Sequence, residues 1–316
     1  MNINSKIALM KRWGKIIFGK NLVAINQGIG KVYSIDRLEG YYNDLTGKVS
    51  NKAILDSNGI PINKVSNGNY VYFPITIFQY SLGLWDNYLL YREESYIKSF
   101  TILAEWIINN QREDGSWDCF SPIGHSKYTV SSMGQGEAVS VLLRMYKFSG
   151  NKKYLMAAKK AVEFMINEVK DGGTLIIEGN NFIFEEYPNE NEKRSSVLNG
   201  WIFSLFGIYD YLKIVDDNCV RQIFNNSIRS LSESLYRYDT GYWTFYDQSG
   251  RIASPAYHNL HIALLKVLGE ITNDKNIIEY TKKFESYSTK KIYKIRAILR
   301  KVIQKLFEKS EGVIIE

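Results

Sequence analysis

Apolar residues recur at helical spacing over most of this chain, and the helical runs come in pairs. The first opens at Pro74, a residue suited to a first helical turn, and continues as ITIFQYSLGLWDNYLL. The second runs from about Glu94 to Asn110 and places Ile97, Phe100, Leu103, Ala104 and Ile107 on one face. A third, capped by Ser131 or Ser132, turns Ala138, Val141, Leu142, Met145 and Tyr146 inward. A fourth spans 152–168 and stops at Gly172-Gly173. The pattern predicts further helices from Ser195 or Ser196 to Lys213, from about Asn218 to Tyr236, and over roughly 257–272 and 275–287.

Two stretches break the helical period. TLIIEGNNFIFEEY reads as a β-hairpin around Asn180 and Asn181. Residues 32–73 are rich in turn formers (Asn43, Asp44, Gly47), and SNGIP and SNGNYVYF predict short strands joined by Asn-Gly turns. Helix pairs end in loops that hold Gly and an aromatic residue. NNQREDGSW and YRYDTGYW occupy comparable places. Repeated helical hairpins with functional loops at one end build an α/α toroid. The expected architecture is therefore mainly α, an incomplete α/α toroid over 74–288. A basic, β-rich part (1–73) precedes it and a basic amphipathic helix (289–316) follows. A simple helix bundle is the competing architecture.

Charge narrows the partners. A net charge of +7 and a pI near 9.0 favour polyanions: nucleic acid, anionic membrane or acidic polysaccharide. Aromatic residues make up 14% of the chain, 23 of them Tyr, and their apolar faces with polar tips suit stacking on sugars. The tail TKKIYKIRAILRKVIQKLFEKS has an apolar stripe of Ile292, Ile295, Leu299, Ile303 and Leu306. It reads first as a closing helix with a solvated basic face. Residues 1–25, with Lys6, Lys11, Arg12, Lys15 and Lys20, read as a helix packed on the domain. Peripheral contact of both termini with an anionic membrane face is the competing reading. Cys119 and Cys219 lack metal-type spacing and are expected as reduced core thiols. Three histidines are too few for a His-rich metal site, and neither metal nor cofactor is expected. The start lacks an apolar signal-peptide core, and no run reaches the roughly 18 apolar residues of a membrane span. A cytoplasmic protein is expected.

Three tyrosine-centred clusters fall in predicted loops: Glu185-Glu186-Tyr187-Pro188, Phe245-Tyr246-Asp247, and Ala256-Tyr257-His258 with His261. A tyrosine whose pKa is lowered by cations can serve as a general base, and a protonated one as a general acid. Two such groups on opposite faces of one carbon would invert a stereocentre. The carbon must be acidic, as one α to a carboxylate is, and the resulting enediolate needs cationic or hydrogen-bond stabilisation. Taken singly, each tyrosine reads as core or rim. His258 and His261 share a helix face and read as a hydrogen-bonded pair at a helix start. Glu185 and the charges from Glu190 to Arg194 read as solvated loop.

Several stretches together resemble the C-terminal domain of the D-glucuronyl C5-epimerase family. They are Ser132-Met133-Gly134-Gln135-Gly136, Glu185-Glu186-Tyr187-Pro188, Ser196-Val197-Leu198-Asn199-Gly200 and Tyr238-Asp239-Thr240-Gly241. Tyr246-Asp247, Tyr257-His258, NQREDGSW and YVYFPITIFQY complete the set. The resemblance implies an α/α toroid acting on glucuronate residues of heparosan-like polysaccharide. It also implies that the partner is an acidic glycan and not nucleic acid, and it suggests a homodimer. By motif, Glu186, Tyr187, Tyr246 and Tyr257 would be the catalytic set. Tyr187 and Tyr246 would carry protons at C5, Glu186 would support them and Tyr257 would help at the sugar. Asn199 and His258 match sugar-binding positions, and Tyr41 and Lys48 align with a substrate-binding Tyr and Arg. The pattern also departs from the family. The loop between Trp117 and Ser131 is short and reads SPIGHSK where a basic stretch is expected. Val130 replaces an aromatic, and an Arg expected after Tyr246-Asp247 is missing in register, with Arg251 close by. Two alternatives share this evidence: a polysaccharide lyase acting by β-elimination, and a glycan-binding protein without activity.

Overall fold

Helices of two sequence types alternate along the chain. The computed structural model describes residues 27–50, 53–125 and 127–307; the basic segment 1–25 and the last residues of the tail lie outside them. Four helical hairpins follow in order: α1 (Pro74–Tyr91) with α2 (Glu94–Asn109), α3 (Ser132–Ser149) with α4 (Lys152–Ile166), α5 (Leu198–Leu212) with α6 (Asn218–Ser234), and α7 (Pro255–Thr272) with α8 (Lys275–Ser288). The first helix of each of the first three pairs is buried over most of its length, as LNGWIFSLFGIYDYL is in α5, and α7 buries a broad face of Leu260, Ala263, Leu264, Leu265, Val267 and Leu268. The second buries one stripe, such as Phe100, Leu103, Ala104 and Ile107 in α2 or Val220, Phe224, Ile228 and Leu231 in α6. An all-round apolar helix has to sit inside, and an amphipathic one covers it. Thus α1, α3, α5 and α7 touch in sequence as an inner arc, with the others outside. This is the incomplete α/α toroid that the pattern predicts.

The helix starts carry the arc's polar detail. Side chains of Ser131, Asp217, Ser254 and Asp274 cap α3, α6, α7 and α8, and Asn151 caps α4. Losing such a cap costs about 1 kcal/mol. Helices α3 and α5 cross backbone to backbone. A Cβ added at Gly207 would stand 2.4 Å from Gly136 Cα, and one added at Gly136 would stand 2.6 Å from Phe203 O.

Residues 27–50 lie across the inner helices as a strap. Tyr41 N–H donates to Asp86 Oδ1 of α1 (2.9 Å), and Tyr42 hydroxyl donates to Asp210 Oδ1 of α5 (2.6 Å). Arg144 of α3 donates to Asp210 Oδ2 (2.5 Å) and to the carbonyls of Glu39 and Gly40 (2.9 Å each), so one buried cation ties strap, α3 and α5 together.

Several expectations are corrected. The N-terminal part holds little regular sheet among the described residues. It has one two-residue ladder, β1 (Asn63–Lys64) with β2 (Tyr70–Val71), and isolated bridges such as Ile29 with Asn43. Its backbone groups are spent instead on helix side chains. The Asn-Gly turns do form, with Gly59 and Gly68 at φ +83° and +89°. The second hairpin, β3 (Leu175–Glu178) with β4 (Asn181–Phe184), turns at Gly179 and Asn180. α5 begins at Leu198 and not at Ser195 or Ser196, because Ser196 adopts φ +48°. Glu185 is not solvated loop. It is 1% exposed and accepts from Ser196 N–H (2.8 Å), Ser195 hydroxyl (2.9 Å) and Tyr187 N–H (3.2 Å), fixing that turn. Cys119 is buried, but Cys219 is exposed near the start of α6.

The closing helix, α9 (Lys291–Phe307), is turned the other way from expectation. Its apolar stripe faces solvent, with Ile292, Ile295, Leu299, Ile303 and Phe307 all more than half exposed, and Ala297 is its one fully buried residue. Cations and an amide hold it down. Arg296 lies 4.0 Å from the centre of the Tyr242 ring and Arg300 5.0 Å from that of Phe245. Gln304 accepts from Ile252 N–H and donates to Gly250 O.

Candidate active site

The starts of α3 and α5 meet at one carboxylate. Glu186 leaves β4 through the Glu185-anchored turn and ends between these helices. Ser131, whose Oγ caps α3, donates its hydroxyl proton to Glu186 Oε1 (2.8 Å). Gly200 in the first turn of α5 makes room, since a Cβ there would stand 2.4 Å from Glu186 Oε2. Helix N-termini favour the charged form of a carboxylate. Burial outweighs them here and raises the Glu186 pKa to about 8, helped by the nearby charges of Glu137 and Glu185. Glu186 Oε2 has no hydrogen-bond partner among the described residues, and neither do Asn199 Oδ1 or Ser132 Oγ beside it.

Three tyrosines converge on this carboxylate. Tyr187 packs against Phe120 (ring centres 5.1 Å apart) and Tyr128 (5.5 Å). Tyr246 is held by backbone bonds on both sides. Its carbonyl accepts from Leu198 N–H at the start of α5 (3.1 Å), and its N–H donates to Arg251 O (2.6 Å). Tyr257, in the first turn of α7, meets Tyr246 edge to face at 4.9 Å. The Tyr246 hydroxyl is within hydrogen-bonding reach of both Tyr187 and Tyr257. Burial of the hydroxyl ends raises the pKa of all three, although the ring edge of Tyr257 is open to solvent. The expectation of a cation-lowered tyrosine is therefore reversed in this state. Arg251 sits 5.3 Å from the Tyr246 ring and acts in the lowering direction, but burial wins. Asp247 binds the same guanidinium through Oδ2.

A second layer lies deeper. Glu137 of α3 is fully buried. It accepts from Gln79 Nε2 (2.9 Å) and leaves Oε2 without a partner among the described residues. Burial raises its pKa to about 8, with Lys48 as the cation that opposes the shift. Tyr41 is buried with its ring parallel to Phe203 and its hydroxyl unpartnered among the described residues. Buried polar atoms are almost always hydrogen-bonded, so the unpaired ones around Glu186 and Glu137 have capacity left for water or a ligand.

A family model described as D-glucuronyl C5-epimerase C-terminus matches residues 111–286. The chain belongs to this family. It is 30% identical over 223 residues to a D-glucuronyl C5-epimerase of Caenorhabditis elegans, covering 62% of this chain and 36% of that protein. It is also 28% identical over 163 residues to an uncharacterized protein of Methanocaldococcus jannaschii, covering 50% and 52%. The matches thus span between a third and about half of these relatives. Among solved structures, a glycoside hydrolase family 76 mannosidase from Bacteroides thetaiotaomicron aligns at 15% identity and TM-score 0.45, over 67% of this chain and 60% of that one. An unsaturated glucuronyl hydrolase from Bacillus sp. GL1 aligns at 15% and 0.44, over 71% and 61%.

The structure brings together the four residues that the epimerase-family motifs single out, with Asn199 and Arg251 beside them. Tyr41 and Lys48 fall in the deeper layer around Glu137. His258 falls behind the tyrosine wall, buried against Trp243 (3.7 Å) and bonded at Nδ1 to Thr244 Oγ1 (2.9 Å). His261 reaches the same hydroxyl at 3.2 Å. Burial lowers both histidines to about 3, which leaves them neutral. Among the described residues no group of three His, Cys, Asp or Glu side chains could hold a metal ion. Sequence reading missed Ser131 as the partner of Glu186, and Glu137 altogether. Glu137 had a signal: it is a lone acid inside the otherwise small and apolar run GQGEAVSVLL, where an unpaired charge is costly.

Proposed function

We propose that this protein is a uronic acid C5-epimerase acting on glucuronate residues of an acidic glycan. The observation that carries the proposal is the convergence of Tyr187, Tyr246 and Tyr257 on Glu186 in a chain of this family. Glucuronate is bound with C5 between two walls, Tyr187 and Glu186 on one side and Tyr246 and Tyr257 on the other, so that the sugar replaces the contact between Tyr187 and Tyr246. Asn199 and Ser132 supply polar atoms for hydroxyl groups.

The proton balance follows from the pKa directions. A neutral phenol cannot accept a proton without losing its own. Glu186, titrating near 8, is the base that takes it. The C5–H bond breaks toward Tyr187 oxygen while the Tyr187 hydroxyl proton passes to Glu186. The electron pair moves into the substrate carboxyl as an enediolate, which Arg251 stabilises by charge. Tyr246 then gives its proton to the opposite face of C5 and regains one through Tyr257 from solvent, while Glu186 releases the proton it took to solvent as the product leaves. The reverse reaction uses the same groups in the opposite order. The segment between Trp117 and Ser131, which differs from the family pattern, sets Phe120 and Tyr128 against Tyr187. The substrate is therefore proposed as a class, and neither its sulfation nor its repeat is specified.

The test is NMR of glucuronate-containing glycans incubated with the protein in deuterated water. Iduronate signals with deuterium at C5 are the expected result. An unsaturated product absorbing in the ultraviolet would replace the proposal with β-elimination. Binding without exchange would replace it with glycan recognition alone.

A further inference from the structure

Among the described residues, α9 carries an apolar stripe that faces solvent. Ile292, Ile295, Leu299, Ile303, Leu306 and Phe307 are 53–84% exposed. They occupy one side of a helix with six Lys or Arg and no acidic residue in KIYKIRAILRKVIQKLF. At 3.6 residues per turn, Arg300 borders the stripe on one margin and Lys291 on the other, with Arg296 set in its edge between Ile303 and Phe307. An apolar face edged by cations lies in the interface of an anionic bilayer, with its side chains in the acyl boundary and its cations at the headgroups.

We propose that α9 docks the protein on an anionic membrane surface. Other occupants fit less well. A soluble polyanion would use the cations but leave six large apolar side chains in water. A second copy of the helix, or the chain's own first 20 residues with five Lys or Arg and no acid, would set cations against cations. α9 is also fixed to the catalytic end. Lys301 Nζ lies 6.0 Å from the centre of the Tyr246 ring, and Gln304 binds the backbone of residues 250 and 252. With a helix about 10–12 Å across, docking holds the cleft beside the membrane surface, where a membrane-borne glycan would reach it. Among the described residues no helix is long and apolar enough to cross a membrane, so the contact is one of lying on the surface. Membrane binding by α9 does not depend on the epimerase proposal and is measured separately from it.

Flotation of the full chain with vesicles tests the idea, comparing phosphatidylcholine alone with phosphatidylcholine containing phosphatidylglycerol. The expected result is binding at least about tenfold stronger to the anionic vesicles. A variant carrying Ile295→Ser, Leu299→Ser and Ile303→Ser should keep the wild-type fold by circular dichroism and lose about tenfold or more of that binding. Equal binding by the variant would assign membrane contact elsewhere in the chain and overturn the proposal. So would absence of binding to either vesicle, or a wild-type dimer that this variant converts to monomer.

Discussion

The catalytic end and the closing helix break the ordinary rule of burial in opposite directions. Around Glu186 and Glu137, polar atoms are buried without protein partners. Along α9, large apolar side chains are left in water. The Arg144–Asp210 pair is the contrast: it is buried too, but the guanidinium is met by a carboxylate and three carbonyls. The comparison separates two uses of a buried charge. A satisfied one fixes the strap to the inner helices. Unsatisfied ones, at Glu186 and Glu137, are instead pushed toward the neutral form by burial.

The comparison is best broken by substitution, and the largest effect belongs to the site. Tyr187→Phe and Tyr246→Phe should each lower C5 proton exchange by roughly a thousandfold or more, in line with loss of a positioned acid or base, with thermal unfolding nearly unchanged. Wild-type exchange rates in both would remove them from the chemistry. Next comes Arg144→Met, which strands Asp210 in the interior. It should destabilise by about 3–5 kcal/mol in chemical denaturation, and an effect below 1 kcal/mol would show that the strap is not held by charge.

Glu186→Gln should do the reverse. Its carboxyl is held neutral, with a pKa near 8 against an ordinary 4.5. The folded state is therefore favoured fully below the ordinary value, and stability falls as pH rises through the window from 4.5 to 8. The glutamine variant escapes that fall. At pH 9 it should be more stable than wild type, by at most about 5 kcal/mol, while exchange activity is lost. Wild-type turnover should rise with pH up to about 8 and then level off. A variant no more stable than wild type at pH 9 would mean that the Glu186 carboxylate is satisfied by groups around it. The smallest effect is expected on the other side of the comparison. Leu299→Ser in α9 should change stability by about 0.5 kcal/mol or less, since that side chain is already in water, and a larger loss would mean that the stripe is covered.

Much of the fold was legible because the inner and outer helices differ in composition as well as period. The hairpin after α4 and the two Asn-Gly turns were legible because local residues decide them. What escaped was set by partners distant in sequence. α5 starts late because Glu185 captures Ser195 and Ser196. Tyr41 and Lys48 could be named by motif, but their depth depends on Glu137 and Gln79 from two other helices. The direction of the tyrosine pKa shifts also escaped. A sequence shows that Arg251 is near Tyr246-Asp247 but not how thoroughly the hydroxyls are removed from water. α9 was misread because amphipathicity identifies an apolar face without saying what that face meets.

The crossing of α3 and α5 at Gly136 and Gly207 sets the geometry of the proposed site. Ser131 and Asn199 stand at the starts of two helices whose spacing is set where no side chain intervenes. The gap between these two helix starts is thus a backbone dimension, and under the proposed function it is the gap that would receive the sugar ring. A methyl group at either glycine would wedge the helices apart and change that gauge for every substrate at once.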